Sequence, residues 1–140
     1  MTATIMCEVG SVNTYRYFNP NPVGVKTRDC AIRAVAAALD ISWDRAFDLI
    51  AARAKQMGET LDANAAFGSV LRQYGFVREV IPQTCPDCYT ARDFCLDHPR
   101  GVYVLGFGSH AAAVIDGVLW DSWDSSDEIP QYYWLYVEED

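Results

Sequence analysis

The sequence predicts an α+β domain, with N-terminal helices packed on a C-terminal antiparallel β-sheet. Two observations carry this. Apolar residues recur at helical spacing through most of the first hundred positions, and from Val102 onward the pattern changes to runs of alternating or continuous apolar residues broken by turn signals. A third observation sets the scale: 140 residues suit a single domain spanning residues 1–140, and such a chain buries about two thirds of the surface it exposes when unfolded.

Residues 1–14 read as an N-terminal arm or short strand, and residues 15–28 as an entry loop. Within that loop the aromatic patch Tyr15-Arg16-Tyr17-Phe18 leads into Asn19-Pro20 and Asn21-Pro22, two steps that disfavour helix. The first helix opens at Cys30. Ile32, Val35, Ala36 and Leu39 fall at i, i+3, i+4 and i+7, with Asp29 as the expected N-cap, its carboxylate accepting from the first turn. Ser42 caps a second helix that buries Trp43, Ala46, Phe47, Ile50, Ala51 and Ala54 and stops at Gly58. A third runs from about Ala65 to Tyr74 behind Asn64, and Gly75-Phe76 suits a Schellman end in which Phe76 folds back onto Leu71.

Val77 to Ile81 reads as a strand ended by Pro82, followed by the loop Gln83–Tyr89. Thr90 and Asp93 form a capping box for a helix through Leu96, closed by Pro99. The remaining strands are expected at Val102–Phe107, His110–Ile115, Val118–Trp123 and Tyr132–Val137, with Asp116-Gly117 as a two-residue hairpin turn.

The charge balance, 19 acidic against 11 basic side chains for a net −8, argues against nucleic acid and against an anionic membrane surface as partners. The N-terminus lacks a basic segment followed by an apolar run, and no stretch approaches a membrane span, so a cytoplasmic protein is expected. Five cysteines, an odd number at irregular spacing, then suggest thiols or metal ligands and not a disulfide framework.

Chemistry enters at Cys30. A thiol at the first helical position sees the positive end of the helix dipole, which favours thiolate, and unpaired backbone N–H groups lie beside it. Alone, such a cysteine is more often a small buried residue. The hairpin changes the balance. Setting Ile115 opposite Val118 pairs Ala112 with Asp121 and His110 with Trp123, which makes His110 and Asp121 diagonal neighbours on one face and sends Asp124 to the other. Nucleophile, base and an orienting carboxylate are what acyl transfer through a thiol requires. His98, in a His-Pro step at a helix end, reads as a capping or surface residue.

Asp29-Cys30 opening an alanine-rich helix, with Ser109-His110-Ala111-Ala112-Ala113-Val114-Ile115-Asp116-Gly117 and Trp120-Asp121-Ser122-Trp123 late in the chain, resembles the papain-like cysteine peptidase superfamily in its small bacterial and phage-type branch. It is also similar to the bacteriocin-processing peptidases, which share the order Cys, His, Asp. The resemblance covers roughly residues 15–136. It implies a papain-like fold and a thiol hydrolase with Cys30 as nucleophile, His110 as general base and acid, and Asp121 as orienting residue. Where the family often carries an oxyanion-hole glutamine, about six residues before the cysteine, this chain has Val23-Gly24-Val25. Asn19, Asn21 and Thr27 are the candidate substitutes, and Trp123 the candidate cleft aromatic.

The expected reaction is attack of the Cys30 thiolate on an amide or isopeptide carbonyl of a peptide or protein substrate, through a thioester and without a cofactor. Transamidation or acyl transfer would use the same triad, and a catalytically lapsed papain-like binding protein is the alternative without turnover. A zinc-stabilised interaction module is the rival from another class: Cys85 and Cys88, then Cys95 and His98, space four tetrahedral ligands.

Overall fold

The computed structural model describes residues 13–137. The expectation of an arm at residues 1–14 therefore falls almost wholly outside the described residues, as do Cys7 and the acidic end Glu138-Glu139-Asp140. The described residues form a mixed α/β structure of four helices and one six-stranded sheet. In chain order these are β1 (Tyr15–Tyr17), α1 (Cys30–Leu39), α2 (Trp43–Met57), α3 (Asn64–Gln73), β2 (Phe76–Val80), α4 (Ala91–Asp97), β3 (Val102–Gly106), β4 (Ala111–Ile115), β5 (Val118–Asp121) and β6 (Tyr132–Tyr136).

The strands lie in the order β1-β5-β4-β3-β6-β2. All neighbours are antiparallel except β1 and β5, which run parallel with Tyr17 opposite Asp121. The expectation of a purely antiparallel sheet is corrected on that point. Strand β1 is only three residues, Tyr15, Arg16 and Tyr17, the last two exposed, and its partner lies about a hundred positions away, so no local periodicity announces it.

Period-two alternation in the central strands feeds two separate cores. Val104, Ala111 and Trp134 pack with Ile32, Val35, Ile50 and Phe67 beneath α1, α2 and α3, whereas Leu105, Ala112, Val114 and Leu119 pack with Ala91 and Phe94 of α4 on the other side. Helix α1 is the innermost helix, with every residue from Ala31 to Ala37 buried. Alanine at positions 31, 34, 36 and 37 lets it sit close to strand β4 as well as to α2 and α3.

Local chemistry sets the element ends. Ser42 Oγ accepts from Arg45 N at 3.0 Å to start α2, and Gly58 ends it in the left-handed region. Thr90 and Asp93 form the anticipated capping box, Thr90 N donating to Asp93 Oδ2 at 3.0 Å. Thr90→Ala is expected to lower stability by about 1 kcal/mol, read as an earlier urea midpoint, and an unmoved midpoint would show the box contributes nothing. The Asp116-Gly117 turn has both residues at positive φ, 49° and 77°, the geometry of the tight hairpin turn that opposes Ile115 to Val118.

Candidate active site

Three segments converge at one end of the sheet: the start of α1, the β3–β4 loop that ends at His110, and the end of β5. Cys30 is the first residue of α1 and is partly exposed. Asp29 stands at the N-cap but its side chain makes no capping bond. It is buried, and instead pairs with Arg33, one turn on, and accepts from Trp43 Nε1 at 2.9 Å. The N–H groups of the first turn, which have no acceptor within the helix, thus stay uncapped beside the sulfur.

His110 precedes β4, held by Phe107 N donating to His110 O at 2.8 Å. The rings of Trp123 and Phe107 flank the imidazole at centroid distances of 5.2 and 5.6 Å. Nε2 of His110 lies 2.6 Å from Asp121 Oδ2. The Cys30 thiol lies close enough to the imidazole for each to shift the other's ionisation.

Asp121 is 1% exposed and its carboxylate is fully engaged. Oδ2 accepts from His110 and from Ser125 Oγ at 2.6 Å, while Oδ1 accepts from Ser122 N at 2.7 Å and from Arg33 Nη2 at 3.1 Å. Its backbone is pinned too. Asp121 O accepts from Phe18 N at 2.7 Å and from Tyr15 Oη at 3.2 Å, so β1 fixes the strand end that carries the carboxylate.

These contacts set the charge state. Burial raises the Cys30 thiol, but the hydrogen bond and charge of His110, the Ala111 N–H and the Arg33 charge outweigh it and hold its pKa below the ordinary thiol range. Burial disfavours the charged His110 ring, yet its hydrogen bonds to Asp121 and Cys30, with their charges, push its pKa up to about 9. Burial likewise works against ionised Asp121, and is outweighed by His110, Ser125 and Ser122, leaving it ionised. The arrangement favours a thiolate–imidazolium pair beside a fixed carboxylate.

No protein-family model, curated protein or solved structure matches this chain.

A cleft of about 850 Å³ opens onto the sulfur. Its lining includes Lys26, Thr27 and Arg28 ahead of α1, Gly108, Ser109 and Trp123 from the loops beside His110 and Asp121, and Leu61, Asn64 and Phe67 around the start of α3. Of the residues proposed from sequence for the oxyanion and substrate, Thr27 and Trp123 line this cleft. Asn19 and Asn21 do not, which corrects that expectation: Asn19 Nδ2 donates to Val25 O at 3.3 Å, and Asn21 Oδ1 accepts from Val23 N at 2.9 Å, so both side chains fold the entry loop. Asp124 is turned to Ser126, whose backbone N–H it accepts at 3.1 Å, and takes no part in the constellation.

The zinc set is also corrected. Cys85 and Cys88 are joined in a disulfide with Cα atoms 4.1 Å apart, so their sulfurs are spent on each other and not on a metal. Cys95 is buried among the α4 core residues, where desolvation pushes its thiol up to about 12. The His98 ring is stacked at 3.8 Å on Phe94, its Nδ1–H donating to Phe94 O at 2.8 Å. Among the described residues no group of three or more His, Cys, Asp or Glu is arranged to hold a metal.

Sequence reasoning missed Arg33, Trp43 and Ser125 as parts of the site. Arg33 carried a readable signal: it is the sole charge in a ten-residue run otherwise made of cysteine, alanine and aliphatic residues, four positions after Asp29. A charge on such a helix must be paired to be buried.

Among the described residues no helix is long and apolar enough to cross a membrane.

Proposed function

We propose that the chain is a thiol-dependent hydrolase of papain-like architecture, acting on an amide or isopeptide bond in a peptide or protein. The observation that carries this reading is the convergence on one cleft of Cys30, at the N-terminus of a buried helix, with His110, whose Nε2 lies 2.6 Å from the buried Asp121 carboxylate. Cys30 Sγ attacks the carbonyl carbon, and the developing oxyanion meets the Cys30 backbone N–H with the Thr27 hydroxyl as second donor. His110, protonated in the resting pair, gives its proton to the leaving amine nitrogen as the C–N bond breaks and a thioester remains. Neutral His110 then takes a proton from water, whose oxygen attacks the thioester and returns Cys30 as thiolate. Asp121 holds the ring in one tautomer throughout. An amine in place of water would give transamidation on the same triad.

The charge state supplies the test. Iodoacetamide at about pH 6 should alkylate Cys30 at least about tenfold faster than an ordinary thiol, which is almost wholly protonated there. Cys95, raised to about 12, should not compete. The label should vanish in Cys30→Ala and persist in Cys95→Ala. Turnover needs thiolate and imidazolium together, so it should rise with pH through the depressed thiol pKa and fall through about 9 as His110 loses its proton. Slow, unselective labelling of every thiol would remove the hydrolase reading. Rapid labelling without turnover of peptide libraries would favour a lapsed, binding-only protein.

A further inference from the structure

We propose that Arg33 is a positioning residue of this site: its guanidinium clamps Asp29, ahead of the helix that carries Cys30, to Asp121, on the hairpin that presents His110. The inference rests on the hydrolase reading above and adds a residue to it.

The geometry is specific to a planar, two-pronged cation. Nη1 pairs with Asp29 Oδ1 and Nη2 lies 3.1 Å from Asp121 Oδ1, so one rigid group spans two carboxylates that belong to different elements. All three side chains are nearly inaccessible, at 5% for Arg33, 4% for Asp29 and 1% for Asp121. Among the described residues this cation is ion-paired with Asp29 from the segment before α1 and with Asp121 from β5, and through Asp121 it faces the His110–Cys30 pair. Trp43 Nε1 from α2 and Asn21 Nδ2 from the entry loop close the far side of Asp29, at 2.9 and 3.4 Å.

The clamp is imperfect as a purely stabilising device, because Arg33 Nε is buried with no partner among the described residues. An apolar residue of similar volume would avoid that orphaned donor, and buried ion pairs are often no better for stability than such a replacement. What an apolar residue cannot do is sort the oxygens of Asp121. With Arg33 Nη2 and Ser122 N on Oδ1, Oδ2 is left to His110 and Ser125. Lysine, a single point donor, would reach one carboxylate and release the other. The positive charge also offsets one of the two buried carboxylates, and it faces the sulfur favourably.

The test compares the wild-type chain with Arg33→Lys and with the double variant Asp29→Asn/Arg33→Met, which removes both partners of one ion pair and so leaves no unpaired buried charge. The readout is the rate of Cys30 alkylation by iodoacetamide against pH, with folding checked by circular dichroism. In the double variant the acidic limb of that profile should move up by about one pH unit, making alkylation about tenfold slower at pH 5, with the rate on the alkaline plateau kept within about twofold. Arg33→Lys should fall between the two. A folded double variant whose limb coincides with the wild-type limb would reduce Arg33 to a structural tie and overturn the inference. A wild-type profile with no low-pH limb would overturn the hydrolase reading itself, and the inference with it.

Discussion

Asp121→Ala is expected to lower stability by about 3–5 kcal/mol and to slow Cys30 alkylation near neutral pH by at least about tenfold. Four donors lose their acceptor at once: the His110 ring, the Ser125 hydroxyl, the Ser122 N–H and one prong of the Arg33 guanidinium. Of these the cation matters most to the fold, because a buried charge left half-paired carries a desolvation penalty that nothing offsets. For chemistry the imidazole matters most. Its raised pKa leans on the Asp121 hydrogen bond and charge, so without them the ring deprotonates at lower pH and the thiolate loses its counter-ion. Asp121→Asn separates the two effects. It keeps the volume and one acceptor but removes the charge, so alkylation near pH 6 should fall as in the alanine variant while less stability is lost. Urea denaturation and alkylation kinetics measure the two effects independently. An alanine variant that melts and reacts like the wild type would mean Asp121 neither supports the fold nor poises the ring.

The second large effect lies away from the thiol. Gly106 faces Tyr132 across the β3–β6 pairing, and a Cβ built on Gly106 would fall inside the Tyr132 ring. The Arg78 guanidinium also lies over that ring, 4.2 Å from its centroid. Gly106→Ala therefore requires the ring to leave its place or the two strands to part, and is expected to cost more than about 3 kcal/mol. The double variant Gly106→Ala/Tyr132→Ala should recover part of that loss, a favourable coupling of at least about 1 kcal/mol in a double-mutant cycle. A Gly106→Ala protein within about 0.5 kcal/mol of the wild type in urea would mean that the ring has room to move.

Much of the architecture was legible because it is locally encoded. Ser42, Gly58, Thr90 with Asp93 and the Asp116-Gly117 turn each specify an element end through their own backbone or side-chain chemistry. The hairpin turn also fixes the register, and register is what brings His110 and Asp121 into reach of each other. What escaped depends on contacts distant in sequence. Strand β1 exists through its pairing with β5, and three partly exposed residues give no periodic signal of it. The fate of Asp29 was misjudged for a related reason. A carboxylate at an N-cap position ordinarily bonds its own first turn, but here Arg33 and Trp43 compete for it in a buried setting where ionic hydrogen bonds are the stronger ones. Asn19 and Asn21 were candidates for the cleft because they precede the cysteine, and the same Asn-Pro steps that suggested a loop are what they fold. The Cys85–Cys88 pair was weighed as metal ligands, and a turn that brings two sulfurs together serves either chemistry until a second pair of ligands is required to converge on it.

The parallel seam between β1 and β5 has a bearing on timing. Phe18 and Tyr15 reach the carbonyl of Asp121 across 106 positions in the longer case, and Arg33 reaches its carboxylate across 88. Contacts this remote form late, since each must wait for nearly all the intervening polypeptide to be in place. On the hydrolase reading proposed above, a chain still being synthesised thus carries Cys30 without the His110 and Asp121 partners that are to activate it, and gains them only when β4 and β5 have docked.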